Sequence, residues 1–207
     1  MLDVDLRFLL CTTILLCAGT NSAQVAAKAP PRALDVAVAD LLRTAAVPGG
    51  IEVARDCGQL QSKTFEVASL PIGEALASLS QSESGVTWQK IGGSYLVTIN
   101  SGGGPVLASV EVPAMKLKVR TLAEASDTLL QLKAVRQRVA DLELSEAPDN
   151  LGFSSINERR TRDISLPAAT FRDDLNAIAA AFGAAIWELD QRHCGASRTF
   201  RLSWISK

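Results

Sequence analysis

His193 and Cys194 are adjacent, and a cysteine beside a histidine is the pair from which a thiolate nucleophile is built. Such a pair needs both side chains within hydrogen-bond reach and a third group to orient the imidazole. Neighbours in an extended chain point to opposite faces, so these two meet only in a special turn. A disulfide-bonded or buried Cys194 beside a surface His193 is therefore the expectation, with a cysteine-dependent enzyme using Cys194 as an alternative. Metal binding has less to draw on. His193 is the only histidine of the chain, and Cys57 and Cys194 alone cannot close a zinc site. In an oxidising compartment that even pair suggests a Cys57–Cys194 disulfide. Carboxylates offer two further places. Asp173 and Asp174 fall in a first helical turn, where they offset the helix dipole. Glu188 and Asp190 share one face of a strand and read either as an acid pair or as exposed hairpin charges. The chain has no G-x-S-x-G, H-E-x-x-H or P-loop pattern. No catalytic residue, metal ligand or cofactor is assigned from these residues.

The three tryptophans are the remaining candidates. Trp88 and Trp187 occupy equivalent places in two similar segments, where an aromatic on the helix-facing side is core. Trp204 alternates with Leu202 along the last strand and is the possible binding aromatic, for a glycan or a peptide.

The elements that position these residues follow from length, charge and periodicity. The 207 residues suffice for one large or two small domains. With 21 Lys+Arg against 22 Asp+Glu, no global field draws the chain to nucleic acid or anionic lipid. Phe8 to Cys17 is an apolar run of export-signal length, short of the roughly 20 residues a membrane span needs. Small residues at Val25-Ala26-Ala27 place cleavage before Lys28, with cleavage after Ala23 as the nearer alternative. Residues 1–27 are thus expected to be a signal peptide, and the product a periplasmic or secreted protein with no membrane insertion.

Beyond it, Leu34, Val38, Leu41 and Leu42 repeat at helical spacing, and Pro48-Gly49-Gly50 is expected to end that helix. Strands are expected at Ile51–Ala54 and Thr64–Val67. A helix with Ile72, Leu76 and Leu79 on one face follows, then a hairpin of Val86–Trp88 and Tyr95–Ile99 about Gly92-Gly93. Residues 102–114, opening on Gly102-Gly103-Gly104-Pro105, read as a Gly/Pro-rich linker. After it come a strand at Met115–Val119, one long helix from Thr121 to Leu142, and a polar loop. A strand at Arg162–Leu166 and a helix capped by Thr170 with Asp173 follow. Strands at Ala184–Leu189 and Thr199–Ile205 close the chain about a turn at His193-Cys194-Gly195.

Two stretches answer each other. Leu70-Pro71, Ile72, Leu76, Leu79, Gly85 and Trp88 match Leu166-Pro167, Phe171, Leu175, Ile178, Gly183 and Trp187, with small gaps. Residues 33–101 and 115–207 are accordingly expected to be two related units.

Residues 34–42 (LDVAVADLL), Gly49–Val53, Phe65–Val67, Leu70–Leu79, Gly85–Trp88 and Gly93–Ile99 resemble the secretin and TonB short N-terminal (STN) domain, a periplasmic module. The second unit resembles it more loosely. The resemblance implies an α+β fold of two STN-like units, each with two helices packed on small mixed or antiparallel sheets. It also implies a tendency to make protein contacts, hence an envelope protein as partner, and it offers no catalytic residues.

Overall fold

The computed structural model describes residues 32–57, 62–63, 70–101, 106–147, 161–183 and 185–205. The expected signal peptide, the expected strand Thr64–Val67 and the glycines at 102–104 lie outside these. The elements in order are β1 (Arg32–Ala33), α1 (Leu34–Thr44), β2 (Gly49–Asp56), β3 (Ser62–Lys63), α2 (Ile72–Ser82), β4 (Val86–Ile91) and β5 (Ser94–Ser101). A 3₁₀ turn (Leu107–Ser109) precedes β6 (Glu111–Val112), β7 (Met115–Val119), α3 (Leu122–Leu130), α4 (Lys133–Asp141) and β8 (Ser145–Glu146). The chain then forms β9 (Arg162–Leu166), β10 (Ala169–Thr170), α5 (Phe171–Ala181), β11 (Ile186–Cys194) and β12 (Ser197–Ile205).

The fold is α+β, as expected. Its centre is one mixed six-stranded sheet in the order β4-β5-β2-β11-β12-β8. The two halves of the chain were expected to build separate small sheets; instead they share this one. β2 runs parallel to β5 on one side and to β11 on the other, with Gly49–Asp56 in register against Ile186–His193. The physical reason lies in β2, whose residues are buried on both faces from Gly49 to Arg55. A strand covered on both faces must also satisfy its peptide groups along both edges, and β5 alone supplies only one.

Helices lie on each side of the sheet. On one face Ile51, Val53, Val97, Ile99 and Ile186 pack with Leu34, Val38 and Leu42 of α1 and Leu76 and Leu79 of α2. On the other, Leu96, Trp187, Leu189, Phe200 and Leu202 pack with Phe171, Leu175 and Ile178 of α5, Leu107 of the 3₁₀ turn and Leu129 of α3. The Thr170 cap forms as the sequence indicates. Its hydroxyl accepts from the Asp173 N–H at 3.3 Å while the Asp173 carboxylate accepts from the Thr170 N–H at 3.2 Å. Such a capping box satisfies two donors that a helix start otherwise leaves open.

Four local expectations are corrected. The helix expected over Thr121–Leu142 is two, α3 and α4, because Leu132 adopts an extended ψ of 135° and starts a new helix. That break turns Val135 into the core beside the 3₁₀ turn and β6. The C-terminal part of the expected linker is not a free spacer. Leu107 and Ala108 are fully buried, and β6 pairs with β10, since an apolar 3₁₀ turn gains more from the core than from solvent. Gly49 and Gly50 open β2 rather than close α1, which stops at Thr44, with Ala46 left-handed at φ 55°. A Cβ on Gly50 would lie 2.1 Å from Cζ2 of Trp187, so this glycine is where the ring crosses the strand. Finally, β11 continues through His193 and Cys194, and the turn falls at Gly195-Ala196.

Candidate functional site

The chemistry-bearing residues collect along the seam between β2 and β11. Parallel pairing puts Arg55 opposite Arg192 and Val53 opposite Asp190, so Arg55, Glu188, Asp190 and Arg192 share one face. β12 adds Arg201 opposite Asp190 on that face. Asp190 is 2 % exposed and accepts a two-pronged bond from Arg55, Nε to Oδ1 at 3.0 Å and Nη2 to Oδ2 at 2.7 Å. Arg192 donates to Oδ2 through Nε at 2.9 Å and Nη2 at 2.8 Å. Burial works against the Asp190 charge, but these hydrogen bonds outweigh it and hold the carboxyl below the usual range. Glu188 has a poorer partner. Nη2 of Arg201 is 3.5 Å from its Oε1. Burial, with the negative charge of Asp35 adding to it, pushes Glu188 up to about 7.

These two carboxyls are therefore buried, not exposed hairpin charges. As an acid pair they would be unequal: Asp190 is locked ionised, and Glu188 can exchange a proton near neutrality. Among the described residues no group of three or more His, Cys, Asp or Glu could hold a metal ion.

The opposite face of the seam has its own ion pair. Glu52 of β2, 2 % exposed, accepts from Arg172 of α5 at both oxygens, with Nη2 to Oε2 at 2.7 Å. Beside it the Trp187 Nε1–H donates to Oδ1 of the buried Asn176 at 2.9 Å. Gln191, also on this face, ties the 3₁₀ turn down by accepting the Leu107 N–H at 2.9 Å. With its oxygen so engaged, the Gln191 amide nitrogen donates to Nε2 of His193 at 2.7 Å, which leaves the neutral ring's proton on Nδ1.

At the end of the seam stand Cys57 and Cys194, with Cα atoms 4.7 Å apart and sulfurs at bonding distance. His193 points away from Cys194 toward Gln191, as alternation along a strand requires. A sulfur joined to Cys57 is no nucleophile, so the structure brings Cys194 to Cys57 and not to an imidazole. Trp187 is fully buried, whereas Trp88 is half-buried, stacked at 6.1 Å on Tyr95. Trp204 is half-buried against the core, with its indole N–H donating to the Ser126 hydroxyl.

Asp174, expected only to offset the helix dipole, sits in quite different surroundings. It is 1 % exposed, and neither carboxylate oxygen has a hydrogen-bond partner. Burial and the neighbouring Asp173 push it up to about 6. A carboxyl raised on folding contributes stability below its unfolded pKa, and that contribution is lost as pH rises through its folded value. Glu188 acts in the same sense, while Asp190 acts in reverse and loses its contribution only in stronger acid. The thermal midpoint is therefore expected to fall as pH rises from about 4 to about 7.5. Asp174→Asn should stabilise by about 1–2 kcal/mol at pH 7.5 and by almost nothing at pH 4. Denaturant titration at both pH values checks this; an equal effect at the two would refute it.

No family model, curated protein or solved structure matches this chain.

Proposed function

We propose that this chain is an exported docking module of the cell envelope, built on the plan of an STN-like domain and acting through protein contacts rather than catalysis. The observation that carries this reading is the open outer edge of β4, at one end of the central sheet. The Gly85 carbonyl accepts from the Asn100 N–H at 2.9 Å, so by strand alternation the peptide groups of Trp88 and Lys90 point away from β5. No described strand pairs with them, and Thr87, Gln89 and Ile91 on the strand's second face are exposed. Such an edge accepts another chain by strand addition. The export half of the reading is supported by the apolar run Phe8–Cys17 and by the Cys57–Cys194 pair at bonding distance.

A photocross-linking residue at Gln89, in intact cells, tests it. An envelope protein joined to Gln89 but not to a control position at Val36 on the outer side of α1 is the expected result. Finding no joined protein from β4 or from β12 would overturn the docking reading.

A further inference from the structure

The other end of the central sheet differs from β4 in carrying unspent charge. β8 covers β12 only at Thr199 and Phe200, where the Phe200 carbonyl accepts from the Ala147 N–H at 2.8 Å. Because alternate residues of a strand aim their peptide groups at opposite edges, Leu202 and Trp204 face the same outer side as Phe200. No described strand pairs with them there. On the sheet face that carries Asp190, β12 presents Thr199, Arg201 and Ser203, all half-exposed.

Arg201 is incompletely satisfied. Its Nε is buried and has no hydrogen-bond acceptor. Its Nη2 reaches Glu188 at 3.5 Å and Asp190 at 4.0 Å, both long, because Arg55 and Arg192 already occupy the Asp190 oxygens. Glu188, raised to about 7, is at most a partial counter-charge near neutrality. A guanidinium whose Nη2 contacts are both long, on a side chain 25 % exposed, is a fork shaped for a carboxylate.

We infer that the outer edge of β12 docks an extended acidic segment of a partner protein, with peptide groups on Leu202 and Trp204 and a carboxylate on Arg201. This rests on the docking reading above. A strand added beside β12 runs about 4.8 Å away and sends every second side chain onto the face of Arg201. The preferred segment therefore alternates acidic and neutral residues.

The test is fluorescence anisotropy of the full chain with a labelled heptapeptide alternating threonine and glutamate. Binding is expected, weakened about tenfold or more by Arg201→Gln and by N-methylation of the peptide's edge amides. Arg201→Lys, which keeps the charge but not the fork, should fall between, and thermal unfolding shows that the variants are folded. Three results would each overturn the inference: no binding, equal binding of a threonine–lysine peptide, or binding unaffected by Arg201→Gln. Displacement by inorganic phosphate with no effect of N-methylation would also overturn it, as the mark of a free-anion site. Cross-linking separates the two readings. An envelope protein joined to Gln89 but not to a photocross-linking residue at Ser203 of β12 leaves docking standing and removes β12 as its surface, whereas no capture from either position removes docking itself.

Discussion

Replacing Cys57 and Cys194 together by serine is expected to destabilise the protein by about 4–5 kcal/mol and to lower its thermal midpoint by about 10 °C or more. The size follows from the chain length the bond would close. The two residues are 137 apart in sequence, and in the chain-entropy account the stabilisation grows with the logarithm of that length. The Cα separation of 4.7 Å lies inside the range that bridges adopt. Their neighbours Asp56 and His193 are already register partners in the β2–β11 ladder. Reduction of the wild type should reproduce the double-serine midpoint. Identical midpoints for oxidised and reduced wild type would show that no such bond contributes.

Asp190→Ala is expected to cost about 3–5 kcal/mol, the range for breaking one side of a buried ion pair. The loss is large because Arg55, 7 % exposed, would keep its charge with its two-pronged acceptor gone. The same reasoning gives the control. Arg55→Met combined with Asp190→Leu removes both charges and keeps the bulk, so it should lie much closer to wild type than Asp190→Ala alone. Chemical denaturation of the three variants forms the comparison. A cost below about 1 kcal/mol for Asp190→Ala would mean that water reaches Arg55 and that the pair is a surface feature.

Much of the local structure was legible in advance. α5 carries its signals close together: Thr170 and Asp173 at capping spacing, then Phe171, Leu175 and Ile178 at helical period. The β4–β5 hairpin announces itself through Gly92 and Gly93, the first with φ 59°. Partnership between distant strands was not legible. Alternation tells which way a side chain points, but nothing in Ile51–Arg55 names Ile186–His193 as its neighbour. For the same reason Glu188 and Asp190 read equally as an acid pair or as exposed hairpin charges, since a charge on one strand discloses no counter-charge on another. The sequence of β2 does carry one signal of its double burial. β2 puts Glu52 on one face and Arg55 on the other, between apolar residues, so neither face is wholly polar or wholly apolar. That pattern fits a strand buried on both sides whose charges are met from elsewhere, as Arg172 and Asp190 do here. For the unpartnered Asp174 the sequence holds no comparable sign, because a first-turn aspartate is commonplace at exposed helix starts.

The sharing of one sheet by both halves sets an order of events during synthesis. β2 can pair with β5 once residue 101 has been made, but its other edge stays bare until β11 exists, more than 80 residues later. Until then a strand meant to be covered on both faces stands at the rim of an unfinished sheet, where an unpaired edge invites association with other chains. Cys57 waits just as long, since its partner Cys194 lies 137 residues further along the chain. Shortening the chain by its last hairpin would therefore do more than remove two strands. It would leave the N-terminal half permanently at that stage, with an open central edge and a lone thiol beside it.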